Sequence, residues 1–111
     1  MVYSRRDIFN ILKETIIDLH PTVVDEKITH NASFWFTLQM DQLDLIELIM
    51  HMERKVGMTT DNISRLKNVS YLGDFCNQFY DILKTQYPEK TIDETPGIVK
   101  LMNRWFPSRT K

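Results

Sequence analysis

Leu38-Gln39-Met40-Asp41-Gln42-Leu43-Asp44-Leu45-Ile46-Glu47-Leu48-Ile49-Met50-His51-Met52-Glu53-Arg54-Lys55-Val56-Gly57 is the stretch whose periodicity decides the architecture. Leu45, Leu48, Ile49, Met52 and Val56 recur at helical spacing and share one face, so the run predicts an amphipathic helix opened by Asp41 and stopped by Gly57 after about Lys55. A second apolar set, Leu43, Ile46 and Met50, is interleaved with Asp44 and Glu47. One core face needs only the first set. The second is then left at or near the surface, and apolar residues rimmed by charge mark a contact site for another protein.

On the N-terminal side, Ser4-Arg5-Arg6-Asp7 is a capping pattern in which hydroxyl and carboxylate take up backbone N–H groups at a helix start. Tyr3 and Ile8 occupy the two staple positions beside it. Ile8, Leu12, Ile16 and Leu19 keep the helical period, with Phe9, Ile11 and Ile17 widening the stripe, and His20-Pro21 ends this helix because a residue before proline is pushed out of the α region. The stretch from Pro21 to Met40 has no sustained period, and a structureless loop of about 20 residues is uncommon in a small domain unless it is packed or functional. Its Phe34, Trp35, Phe36 and Leu38 argue for packing, with Trp35 and Phe36 expected as loop anchors. It shows no clean alternation of the kind that marks a sheet.

On the C-terminal side, Thr60 or Asp61 is expected to cap a short turn through Ile63 and Leu66, and Ser70 to cap a helix carrying Leu72, Phe75, Cys76, Phe79, Ile82 and Leu83. Tyr87-Pro88 closes that section. Glu89 to Thr95 reads as a polar connector, and Pro96 then introduces Ile98, Leu101, Met102, Trp105 and Phe106 at helical spacing, ending at Pro107 before a basic tail of Arg109 and Lys111. The expected organisation is an all-α bundle over residues 1–87, with a connector and amphipathic C-terminal helix over 88–111 packed on the same domain.

A chain of 111 residues is the size of one domain, and only 3 Gly and 4 Pro exclude a turn-rich sandwich of short strands. A net charge of -1 gives no global drive toward nucleic acid or an anionic membrane. The single Cys76 cannot form an internal disulfide, and with His20, His30 and His51 scattered it gives no zinc-ligand spacing, which fits a reducing compartment. Lys13, Glu14 and Asp18 interrupt any apolar block that a signal peptide would need, and no stretch approaches the roughly 20 apolar residues of a membrane span. A soluble, cytoplasmic monomer is the expectation.

The segment Thr29-His30-Asn31-Ala32-Ser33-Phe34, followed by Leu38-Gln39-Met40-Asp41-Gln42-Leu43-Asp44-Leu45-Ile46-Glu47-Leu48-Ile49-Met50, closely resembles an acyl carrier protein. The resemblance covers roughly residues 5–85 and implies a four-helix bundle with a long, anchored first loop; here an extra C-terminal helix would be added. The family's motif is Asp-Ser-Leu at the start of the second helix, and its serine accepts 4'-phosphopantetheine from coenzyme A. Asp41-Gln42-Leu43 stands in its place. A carboxamide nitrogen is a poor nucleophile because its lone pair is delocalised into the carbonyl, so Gln42 is not expected to carry the arm. The family's usual glycine two residues before the aspartate is Gln39 here, which points to natural divergence. Ser4, Ser33, Ser64, Ser70 and Ser108 each lack the flanking Asp and Leu, and Ser33 matches a loop position with a structural role.

By the same resemblance, Leu43, Ile46 and Met50 would give the apolar contacts of a partner-recognition face and Asp41, Asp44 and Glu47 its acidic ones, toward acyl-processing or phosphopantetheine-related enzymes. Where the family is often strongly acidic this chain continues with His51, Glu53, Arg54 and Lys55, which distances it from the usual fatty-acid enzymes. The alternative is that Leu43, Ile46 and Met50 face the added C-terminal helix. Cys76 lies on an apolar helical face and reads as a buried structural thiol. Lys100, Arg104, Arg109 and Lys111 read mainly as favourable charge near a helix end, with an anionic contact as the other possibility.

The leading expectation is a non-enzymatic, acyl-carrier-like module that binds a protein partner and has no loadable serine. The alternative is a carrier for fatty-acid or polyketide-type biosynthesis whose attachment serine is altered in this variant. A binder of apolar ligands in the bundle interior is a third reading. No nucleophile, base and orienting residue can be assembled into an enzyme site, and no metal site is expected.

Overall fold

A computed structural model describes residues 1–58 and 62–92. Helix α1 spans Arg5–Leu19, α2 Gln42–Val56, α3 Ile63–Leu66 and α4 Leu72–Gln86. Among the described residues there is no strand, only isolated bridges at Tyr3–Thr91 and Ser33–Tyr71, so the protein is an all-α bundle. The C-terminal helix expected after Pro96 lies outside the described residues, as do Thr60 and Asp61.

Each long helix has a local reason for its limits. The Asp7 amide donates to Ser4 Oγ at 3.1 Å and the Ser4 amide to Asp7 Oδ2 at 3.0 Å, the reciprocal cap expected from the sequence. At the far end of α2, Gly57 adopts φ 75°, a conformation open to glycine without steric cost. Its amide donates to the Arg54 carbonyl at 3.3 Å and the Met58 amide to the Glu53 carbonyl at 2.8 Å, the paired bonds of a Schellman ending. Lys90 Nζ then donates to the Val56 and Gly57 carbonyls at 3.0 and 3.1 Å, placing a cation on the negative end of the helix dipole. Ser70 does not cap α4. Tyr71 holds that position without a side-chain bond, and Ser70 Oγ instead accepts from Trp35 Nε1 at 3.1 Å.

The core joins Ile8, Leu12 and Ile16 of α1, Leu45, Leu48, Ile49, Met52 and Val56 of α2, and Leu72, Phe75, Phe79, Tyr80 and Leu83 of α4. The stripe chosen from the sequence for the interior of α2 is therefore the buried one. The long loop is fixed by its backbone as much as by its side chains. Phe34 donates to the Ser70 carbonyl at 2.8 Å, while Leu72 and Gly73 donate to the Ala32 and His30 carbonyls at 3.0 and 2.8 Å. A Cβ at position 73 would lie 2.9 Å from the His30 carbonyl oxygen, so only glycine permits that approach. Ile28, Ala32, Phe34, Leu38 and Met40 are buried beneath the loop, which answers the objection to its length.

Trp35 is an anchor, half-buried with its indole N–H satisfied, whereas Phe36 is 86% exposed and does not anchor anything. The Trp35 and Phe36 amides both donate to Ser33 Oγ, at 3.2 and 3.1 Å, and this tight turn sends adjacent aromatic side chains in different directions. Ser33 itself is buried in the structural role expected of it.

Cys76 is buried, and burial alone pushes its thiol from 9.0 up to about 12. Native protein at pH 8 should therefore resist alkylation by iodoacetamide at least about a hundredfold more than urea-unfolded protein, because the thiolate is the reactive form. Equal labelling rates, read by intact mass, would contradict a structural thiol.

Candidate functional site at the start of α2

Asp41 is the N-cap of α2, with extended backbone. The Asp44 amide donates to Asp41 Oδ1 at 2.8 Å and the Asp41 amide to Asp44 Oδ2 at 3.0 Å. Each carboxylate thus commits one oxygen to the helix start, where its charge also complements the dipole. Asp44, expected from the sequence at a partner-recognition face, has a capping duty that the sequence did not reveal. Glu47 is exposed further along, with no cap to serve.

Gln42 is the first residue of the helix and is exposed. Its Nε2 donates to Asn68 Oδ1 at 2.8 Å, linking α2 to the turn between α3 and α4. Nothing in the sequence pairs positions separated by 26 residues, so Asn68 is a site neighbour that only the tertiary fold identifies.

Leu43, Ile46 and Met50 lie on one outward face, since three- and four-residue steps bring side chains together on a helix. Leu43 is 75% exposed, while Ile46 and Met50 are half-buried at the edge of the core. The three side chains thus share one face, whose greatest apolar exposure is at Leu43, beside Gln42. No described residue belongs to a group that could hold a metal ion, and no described helix is long and apolar enough to cross a membrane.

Gln39 has φ 55°, the left-handed conformation in which a side chain costs about 1–2 kcal/mol and glycine costs least. The loop entering α2 thus keeps a glycine-like backbone with a glutamine in it. Gln39→Gly should raise stability by about 0.5 kcal/mol, relief of strain outweighing the greater freedom of the unfolded chain. A lower urea midpoint for that variant would contradict the strain.

Three features were not legible as site features: Asn68, exposed Phe36, and a buried polar chain at the other end of α2. There Asn62 Nδ2 donates to Glu53 Oε2 at 3.0 Å, and Gln86 Nε2 donates to Asn62 Oδ1 at 3.2 Å. Glu53 occupies a heptad-like inward position, but its charge disguised it as a surface residue.

No family model matches the chain, and no solved structure matches it significantly. The acyl carrier protein of Lactobacillus acidophilus is 34% identical over 68 residues, a match that covers 60% of this chain and 84% of that protein. That extent of shared sequence, on an all-α bundle with a packed first loop and an acid-capped second helix, shows that the chain belongs to the acyl carrier protein family.

Proposed function

We propose that the chain is an acyl-carrier-like module that acts by binding a protein partner through the outward face of α2 and is not loaded with 4'-phosphopantetheine at position 42. The observation that carries this reading is Gln42: an exposed carboxamide, bonded to Asn68, stands directly after the N-cap. That donor set does not fit the family's prosthetic group. A serine hydroxyl can be deprotonated to attack a phosphoanhydride, whereas an amide nitrogen has no comparable lone pair.

Leu43, Ile46 and Met50 would be desolvated against the partner, and Asp41, Asp44 and Glu47 would set orientation and encounter rate. The left-handed Gln39 supports divergence of a family loop rather than a different loop, because the backbone keeps a conformation suited to glycine. Phe36 is placed to extend the apolar surface of the loop. The module would work without a catalytic residue of its own.

The test is an intact-mass measurement after incubation with coenzyme A, magnesium and a broad-specificity phosphopantetheinyl transferase, beside Gln42→Ser. The expected result is no mass gain for the chain as given and a gain for Gln42→Ser, which Leu43→Asp or Glu47→Lys in that background then slows. Glu47 is the cleaner charge probe because it is free of the cap. Loading of the unaltered chain would overturn the assignment of Gln42. Loading of Gln42→Ser at a rate indifferent to Leu43 and Glu47 would remove α2 as the recognised face.

A further inference from the structure

A cavity of about 390 Å³ opens between α1, the long loop and α4, lined by Arg5, Arg6, Phe9, His30, Cys76 and Asn77. No residue of α2 lines it. Arg5, Arg6 and Phe9 come to one side of α1 because steps of three and four residues bring side chains together on a helix. His30 is held there from α4: its carbonyl accepts from the Gly73 amide at 2.8 Å, and its ring lies flat on Phe9, with centroids 4.0 Å apart and planes 10° from parallel. Three segments distant in sequence therefore meet in one crevice, and the motif around Asp41 has no part in it.

The hydrogen bonds of Arg5 decide what this crevice can hold. Its Nη1 donates to Asn77 Oδ1 at 2.9 Å, its Nη2 donates to Asp81 Oδ1 at 3.3 Å, and the guanidinium lies over the Tyr80 ring at 4.5 Å from the centroid. α4 thus fixes the plane of the fork, while its other N–H groups have no partner among the described residues. The bond also sets the Asn77 amide: its oxygen is taken, and its Nδ2 N–H groups remain as donors. Asp81 offsets part of the Arg5 charge but does not line the cavity, and neither does any other carboxylate. With Arg6 as a second guanidinium, the charged and amide side chains of the wall present donors, so the complementary ligand is an acceptor carrying negative charge. The Asp7 amide at the start of α1 is already bonded to Ser4, so the site rests on side chains rather than on the helix end.

Size and lining say what accompanies the negative group. Sites for small molecules run from roughly 300 to 1,000 Å³, a range this cavity enters and a bare inorganic ion would not fill. Phe9 and Cys76 make part of its wall apolar. We propose that the crevice between α1, His30 and α4 binds a small organic acid, a carboxylate or phosphate monoester with a compact apolar body, its oxyanion on Arg5, Arg6 and Asn77 and its body against Phe9 and His30. Such a ligand makes no use of the Leu43 face, so this site stands or falls separately from partner binding by α2.

The test is a titration of the full-length, nitrogen-15-labelled chain with phenyl phosphate, phenylacetate, inorganic phosphate and benzyl alcohol, read by amide chemical shifts. Saturating shifts at Phe9, His30 and Asn77 are expected from phenyl phosphate, phenylacetate or both, the tighter of the two identifying the headgroup, with Leu43 and Glu47 unmoved. Arg5→Gln should weaken that binding at least about tenfold, the scale of one lost charge-assisted hydrogen bond. Arg6→Gln should weaken it as well without touching the bonds to Asn77 and Asp81, and so covers the case in which Arg5→Gln loosens α1 from α4. Equal shifts from benzyl alcohol would mean an apolar crevice that does not recognise an oxyanion, and would overturn the proposal. So would inorganic phosphate binding as tightly as either organic acid, the mark of an adventitious ion only, shifts that fail to saturate with both acids, or binding indifferent to both arginine substitutions.

Discussion

Phe34→Ala should cost about 3–5 kcal/mol, a large share of the roughly 5–15 kcal/mol that holds a domain of this kind together. Phe34 is fully buried, and its ring meets Phe75 edge-on with centroids 5.4 Å apart. Its amide donates to the Ser70 carbonyl and its carbonyl accepts from Met40, both at 2.8 Å, so the residue joins the loop, the start of α4 and the entry to α2. Truncation would leave a cavity bounded by helices that cannot collapse around it without breaking those bonds. Urea unfolding should show the loss, and amide exchange should accelerate at Leu72 and Gly73, whose donors end on the loop. A cost under about 1 kcal/mol would mean that the loop is packed by its backbone alone.

Asn62→Leu is the second large effect, about 1–3 kcal/mol, the range for leaving a buried polar group short of a hydrogen bond. Glu53 is fully buried among apolar residues and accepts from Asn62 at 3.0 Å. The distinguishing result is the double substitution. Glu53→Met together with Asn62→Leu should recover most of the loss, because two apolar side chains of similar size need no hydrogen bond between them, whereas a buried carboxyl group that has lost one of its bonds carries a desolvation cost. Gln86 is exposed and can turn its amide to water. If the double variant is as unstable as the sum of the singles, the pair is not coupled and the polar chain is incidental.

These two sites show where the sequence stopped being informative. The three long helices, their caps at Ser4 and Asp41 and the stop at Gly57 were legible because each is written within a few consecutive residues. The buried face of α2 was legible for the same reason, since its period is a local property. The family resemblance was also carried by contiguous residues around Asp41-Gln42-Leu43, and the 68-residue match to a known acyl carrier protein agrees with it. The anchored loop could be expected from its aromatic content, but the division of labour among Phe34, Trp35 and Phe36 could not.

Composition and periodicity by themselves determined the all-α class, the helix order and the amphipathic faces, because hydrogen bonding within a helix and the spacing of apolar side chains are short-range. Only the tertiary structure decided that Phe36 points outward, that Ser70 serves Trp35 instead of α4, that Gln42 meets Asn68, and that Glu53 is carried inside with Asn62. Each of those outcomes depends on segments distant in sequence coming together, where burial and the need to satisfy every polar group override what a single stretch of chain prefers.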